Sequence, residues 1–153
     1  MRRNLLHRFL VFARDNSPNI KRFIWKSWYQ YLSGLDKGKN ITFMNYGYAD
    51  AAPRGKKLKL ESADENNRYC IQLYHHIAST ISLRGLDVLE VGCGRGGGSS
   101  YIMRYLKPRS ITGIDFSKKA IKFCKEYYSA KGLSFYEADA ESLPFDNEKF
   151  DVI

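Results

Sequence analysis

Cysteine, histidine, proline and tryptophan are all scarce in this sequence, at 3, 3, 4 and 2 of 153 residues. The cysteines, Cys70, Cys93 and Cys124, are odd in number and too widely spaced for a C-x-x-C metal or redox motif. That argues against a disulfide-stapled scaffold and for a reducing, cytoplasmic compartment. No apolar run approaches the ~18 residues of a membrane-spanning helix. The N-terminal segment does not read as a secretory signal, because Arg8 interrupts it and the longest apolar run, Phe9 to Ala13, is short. A transit peptide stays open, since Met1–Arg14 holds four arginines and no acid.

Acid is the other shortage, and it is local. Residues 1–60 carry 13 basic and 3 acidic side chains, whereas residues 61–153 carry 12 and 13, so the net charge of +9 belongs to the first 60. With 44% apolar and 27% charged residues, the chain is neither disordered nor collagen-like, and one domain of ordinary size would fit its length.

On a helical wheel Leu5, Leu6, Phe9, Leu10, Phe12 and Ala13 share a side opposite Arg3, His7, Arg8 and Arg14, which predicts an amphipathic basic helix. Three roles suit it: a lid packed on the core, attraction to an anionic membrane surface, or organelle targeting. Ser17-Pro18 then offers a cap and a first-turn proline for a second helix, whose stripe Ile20, Phe23, Ile24, Trp28, Tyr31, Leu32 stops at Gly34. Burying each large apolar side chain is worth ~1.5–3 kcal/mol, so this stripe is expected to be covered. Residues 34–60 read as a glycine-punctuated connecting loop with an aromatic cluster, Phe43-Met44-Asn45-Tyr46-Gly47-Tyr48, and a basic run, Arg54–Lys59. Residues 1–60 thus form a helical cap and loop, and residues 61–153 a second unit.

That second unit is regularly punctuated. Ser62-x-x-Glu65 matches a capping box, and Tyr69, Leu73, Ile77 and Ile81 follow at four-residue spacing, predicting a helix to about Ser82. Asp87–Val91 reads as a strand. A glycine cluster follows, then a helix marked by Tyr101, Ile102, Tyr105 and Leu106 that ends before Pro108. Strand Ser110–Asp115, a helix from a Ser117 cap to Gly132, strand Leu133–Ala138 and a fresh strand at Phe150 complete the pattern. Alternation of this kind signifies an α/β fold with a parallel sheet.

Chemistry concentrates at the end of the first strand, in Glu90-Val91-Gly92-Cys93-Gly94-Arg95-Gly96-Gly97-Gly98-Ser99-Ser100. Glycines let a ligand approach the backbone, and a helix start favours an anionic group. Gly92, Gly94 and Gly97 also satisfy G-x-G-x-x-G, with Asp115 ending the next strand where a ribose hydroxyl expects a carboxylate, so a nicotinamide oxidoreductase is one reading. Glu90 argues otherwise: beside a dinucleotide's diphosphate, one pair of like charges at ~5 Å and effective ε ~20 costs roughly 3 kcal/mol. S-adenosylmethionine carries no phosphate, but an ammonium and a sulfonium, and Glu90 attracts both.

Glu90, Gly92, Gly94 and Gly96 resemble the glycine loop of class I S-adenosylmethionine-dependent methyltransferases. Ile114-Asp115-Phe116-Ser117 resembles that family's second motif, which implies that Asp115 holds the ribose hydroxyls and Phe116 packs on adenine. Glu137-Ala138-Asp139-Ala140 resembles the third, which implies that Asp139 accepts from the adenine amino group and the Ala140 N–H meets a ring nitrogen. Leu143-Pro144-Phe145-Asp146 and Phe150-Asp151-Val152-Ile153 resemble the following loop and fourth strand. The implied fold is Rossmann-like, truncated at the start of strand four, with a helical cap before it. In that family strand one lies between strands two and four.

The resemblance narrows further. The Phe43–Tyr48 cluster, Asn67–Tyr74, the Gly96-Gly97-Gly98 triplet and Asp139–Asn147 are similar to the phthiotriol/phenolphthiotriol dimycocerosates methyltransferases, which O-methylate a hydroxyl of a long lipid. This implies a lipid or other hydrophobic acceptor, with no nucleic-acid partner expected, and in-line methyl transfer to an oxygen held ~3–3.5 Å away. The base such an alcohol needs is expected beyond Ile153, so the catalytic residues stay unknown. Tyr46 and Tyr48 could close over cofactor or acceptor, or simply pack under the helices. His75 and His76 are adjacent helical positions ~100° apart and cannot face one metal ion. Cys93 reads as a small filler of the turn. A non-catalytic membrane-surface protein that keeps the cofactor pocket is the remaining alternative.

Overall fold

The computed structural model describes residues 41–49 and 57–153, together with Ile24 and Trp28. The basic helix at residues 2–14, most of the second stripe and the start of the Arg54–Lys59 run lie outside the described residues. Ile24 and Trp28 are helical, and Trp28 is exposed rather than covered.

After a 3-10 turn at Ser62–Asn67, the elements are α1 (Arg68–Ala78), β1 (Asp87–Val91), α2 (Gly97–Tyr101, continued as a π-helical turn Ile102–Leu106), β2 (Ser110–Asp115), α3 (Lys118–Tyr127) and β3 (Leu133–Glu137). The strands form a parallel sheet in the order β1-β2-β3. Register sets Val88 beside Ile111 and Ile111 beside Leu133, then Glu90 beside Gly113 and Gly113 beside Phe135. Side chains alternate along a strand, so these residues share one face. Right-handed crossovers bring α2 and α3 onto that face, and α1, which precedes β1, packs there too. Ile71 of α1 and Tyr101 and Ile102 at α2 pack with Val88 and Ile111, and Ile121 and Cys124 of α3 pack with Cys93 and Phe135.

On its other side β1 meets the segment after Phe150. Val88 bridges Val152 in parallel, Asp151 N donates to Asp87 O at 2.8 Å, and Leu89 N donates to Val152 O at 2.9 Å. Strand one therefore sits between strand two and the fourth-strand segment, as expected.

Four details differ from the sequence expectations. The capping box does not form: Ser62 opens a 3-10 turn with no side-chain cap, because its acids have charged partners. Glu65 accepts from Arg68 Nε at 2.7 Å, and Asp64 accepts from both Arg104 nitrogens and from Tyr105 Oη. Charge-assisted bonds of this kind outweigh a bond to one backbone N–H. The first helix also ends at Ala78, where the Ser79 and Thr80 hydroxyls donate to the His75 and Ile77 carbonyls. Its four-residue stripe is not the buried face: Tyr69, Ile77 and Ile81 are exposed, while Ile71 is buried. Steps of four advance ~40° around a helix each time, so a run of them spirals off any single face. Finally, α3 stops at Tyr127 rather than near Gly132, because Tyr128 turns extended (φ −109°, ψ 130°) and lays its ring 5.8 Å from that of Phe135.

Candidate cofactor site

Between β1 and α2 the chain bends sharply over the strand ends. Gly92 and Cys93 both donate to the Ile114 carbonyl, at 2.8 and 2.9 Å, and Gly92, Gly94 and Gly96 take φ of 78°, 54° and 75°. At Gly96 glycine is required twice over, since the conformation is left-handed and a Cβ would lie 2.9 Å from the rings of Phe135 and Tyr128. Cys93 is a buried filler, as expected, and the Cys124 thiol donates to Gly94 O at 3.4 Å. The neighbouring Cys124 and burial push the Cys93 thiol well above its usual range.

Asp115, at the C-terminal end of β2, is only 5% exposed. Its Oδ2 accepts from Gly94 N at 2.9 Å and its Oδ1 from Ser117 N at 2.8 Å, so one carboxylate ties the glycine loop to the start of α3. Ser117 caps that helix by accepting from Ala120 N. A carboxylate has about four lone-pair positions, so two remain for a ligand's hydroxyls.

Glu90 faces α1 and α2. The Tyr74 hydroxyl donates to its Oε1 at 2.7 Å, and the Ser99 hydroxyl donates to Oε2. Burial raises the Glu90 carboxyl above the usual range, and these two donors oppose the rise. The loop's own cation, Arg95, is buried with its guanidinium 3.8 Å from the centre of the Phe123 ring.

Ala138 N donates to Asp115 O at 3.1 Å, which sets the end of β3 beside that of β2. Asp139 lies in the next turn, its Oδ1 accepting from Glu141 N at 3.1 Å, with Ala140 exposed and Phe116 partly buried. The fold thus gathers Glu90, Gly92, Gly94, Gly96, Asp115, Phe116, Asp139 and Ala140 along the C-terminal ends of three parallel strands. In open α/β sheets ligands bind in the crevice at those ends.

The segment before the core behaves differently from a plain linker. Thr42 O accepts from Gly97 N at 3.1 Å, Phe43 packs at Gly97, and Met44 Sδ lies 3.4 Å from the place a Gly94 Cβ would occupy. Tyr46 projects wholly into solvent, and Tyr48 stacks on His76 with ring centres 4.5 Å apart. His75 Nδ1 instead lies 2.7 Å from the Tyr101 hydroxyl, so the two histidines diverge as their spacing requires. Sequence reasoning missed Tyr74 and Ser99 as partners of Glu90, and Thr42 to Met44 as the cover of the loop. The one signal available was that Phe43–Tyr48 and Asn67–Tyr74 both belong to motifs of the same family.

A parallel β-α-β-α-β unit with a left-handed glycine loop and an acid ending the second strand suits a nucleotide-like ligand. The family model for a methyltransferase domain matches residues 88–153. A crystal structure of a candidate sarcosine dimethylglycine methyltransferase from Galdieria sulphuraria shares the fold, with a TM-score of 0.52 and 18% identity over 63% of this chain and 40% of that one. Over residues 88–153 the chain is similar to the class of S-adenosylmethionine-dependent methyltransferases. More particularly, it is similar to the phthiotriol/phenolphthiotriol dimycocerosates methyltransferase of Mycobacterium tuberculosis, 43% identical over 143 residues, covering 94% of this chain and 52% of that protein. It is 42% identical over 149 residues to the fatty-acid O-methyltransferase of Mycolicibacterium smegmatis, covering 94% and 54%. The chain spans about half the length of the curated relatives it matches.

S-adenosylmethionine is the cofactor of this class, and the residues present fit it. Two carboxylates suit a ligand that carries an ammonium, a sulfonium and a ribose diol. A diphosphate would meet Glu90 as repulsion, whereas Asp115 suits the ribose of either ligand.

Proposed function

We propose that residues 88–153 bind S-adenosylmethionine and that the whole protein transfers its methyl group to an oxygen of a lipid or other long hydrophobic acceptor. The observation that carries the cofactor half is the pair of carboxylates, Glu90 and Asp115, on either side of the glycine loop. Glu90 attracts the ammonium, Asp115 accepts from the ribose hydroxyls, Phe116 packs on adenine, and Asp139 with the Ala140 N–H reads its edge. The cofactor, when bound, supplies the activated methyl. The protein's tasks are therefore to orient the acceptor oxygen and to exclude water. Thr42, Phe43 and Met44, already seated on the loop, contribute to that exclusion, with Tyr46 and Tyr48 as the acceptor-side or lid residues of the same segment.

What supports the acceptor class is that two similar proteins are named for long hydrophobic substrates, a dimycocerosate precursor and a fatty acid. A peripheral contact of the basic N-terminal segment with anionic membrane would bring the enzyme to such substrates. Incubating the full-length protein with methyl-labelled S-adenosylmethionine and either a long-chain fatty acid or a long-chain diol tests the acceptor. Label in the organic phase with either substrate supports it, and label with neither refutes it. Removing residues 2–14 is expected to weaken binding to anionic vesicles at low salt. Unchanged binding would refute the membrane reading.

A further inference from the structure

We propose that Tyr74 is a positioning residue of the cofactor site, whose hydroxyl holds the Glu90 carboxylate ionised and aimed at the cofactor's cationic end. Three observations meet here. The Tyr74 hydroxyl donates to Glu90 Oε1 at 2.7 Å across the interface between α1 and the sheet. The Tyr74 ring can reach that far only because α2 carries glycine at position 98: a Cβ there would lie 2.0 Å from ring atoms of Tyr74. Phe43, from the segment over the loop, packs edge-on against the same ring with centroids 5.9 Å apart. Loop cover, α1 and α2 thus converge on one phenol whose polar end goes to Glu90.

The arrangement has a chemical purpose if Glu90 is to attract a cation. Three titratable groups face this pair besides one another: Asp115 from β2, Cys93 from the glycine loop and Cys70 from α1. Asp115 and the burial of Glu90 both favour the neutral acid, which attracts no ammonium. The two donors, Tyr74 and Ser99, favour the carboxylate. Burial and Glu90 itself push the Tyr74 phenol far up, so it remains a donor throughout the working range of pH.

This inference rests on the cofactor reading above, and the experiment separates the two. Titration calorimetry with S-adenosylhomocysteine is run from pH 5 to 8 on the full-length protein, on Tyr74→Phe and on Tyr105→Phe. The last variant deletes a phenol that bonds Asp64 away from the site. Binding of the unaltered protein is expected to fall on the acid side as Glu90 protonates. In Tyr74→Phe that acid limb should move about one pH unit upward, the size expected for losing one hydrogen bond to a charged group, with little change in affinity at pH 8. In Tyr105→Phe it should not move. Gly98→Ala, which displaces the Tyr74 ring, should move the limb the same way. An unaltered protein that binds no S-adenosylhomocysteine overturns the cofactor reading and this inference together. Normal binding with superimposable profiles for Tyr74→Phe and the unaltered protein overturns the role of Tyr74 alone.

Discussion

At the residue scale, Asp115 joins two functions in one carboxylate. It holds the Gly94 and Ser117 amides, and in the proposed function its remaining lone pairs accept from the ribose hydroxyls. Asp115→Ala should therefore cost stability even without ligand. Two buried N–H groups lose their partner, worth about 3 kcal/mol in denaturant unfolding of the full-length protein. A change within 0.5 kcal/mol would contradict the anchoring role. Asp87 gives a pH signature. Bonds from Arg109 and Ser110 hold its carboxyl down at about 2. A depressed carboxyl stabilises the fold fully above its unfolded value near 4 and loses that contribution as pH falls toward about 2. Asp87→Asn should flatten that stretch of the stability profile, readable in acid titrations of the thermal midpoint. The placement of Glu90 and Asp115 near the strand ends was legible in the sequence because their spacing from glycine is a motif. Tyr74 was not, because nothing in a helical stripe says that one hydroxyl will meet a carboxylate on a strand 16 residues later.

At the element scale, local signals worked where the chain bonds to itself and failed where tertiary partners competed. The Ser117 cap formed as its spacing predicts, and Ser117→Ala should cost about 1 kcal/mol. The Ser62 capping box failed, because Asp64 and Glu65 had arginines to bond. Strand bounds were read closely, since β1 and β2 are short runs rich in Val and Ile whose ends are punctuated. Helix ends were read less well: the first helix stops at Ala78 and α3 at Tyr127, both short of expectation, whereas α2 ends before Pro108 as expected, through a π-helical turn onto Lys107, which holds φ 53°. Glycine relieves that left-handed strain, so Lys107→Gly should raise stability by about 0.5–1 kcal/mol in thermal or denaturant melts. A loss would mean that the Lys107 side chain matters more than its backbone.

At the scale of the whole molecule, parallel topology does the assembling. Because each crossover returns to the same face, the loop after β1, the acid ending β2 and the turn after β3 come to one edge without any contact in sequence. That much followed from the order of motifs. How residues 41–49 sit did not follow, since a segment without periodicity carries no information about where it packs. The same topology leaves β1 bridged beyond β2 only through Asp151 and Val152 among the described residues. An incompletely paired strand is an aggregation site.

The central claim is that the Glu90 carboxylate beside the glycine loop selects a cationic adenosyl ligand over a dinucleotide. Titration calorimetry of the full-length protein with S-adenosylhomocysteine and with NADH, side by side at neutral pH, tests it most directly. Saturable binding of S-adenosylhomocysteine with no heat from NADH is the predicted result. Saturable binding of NADH with none of S-adenosylhomocysteine would contradict it.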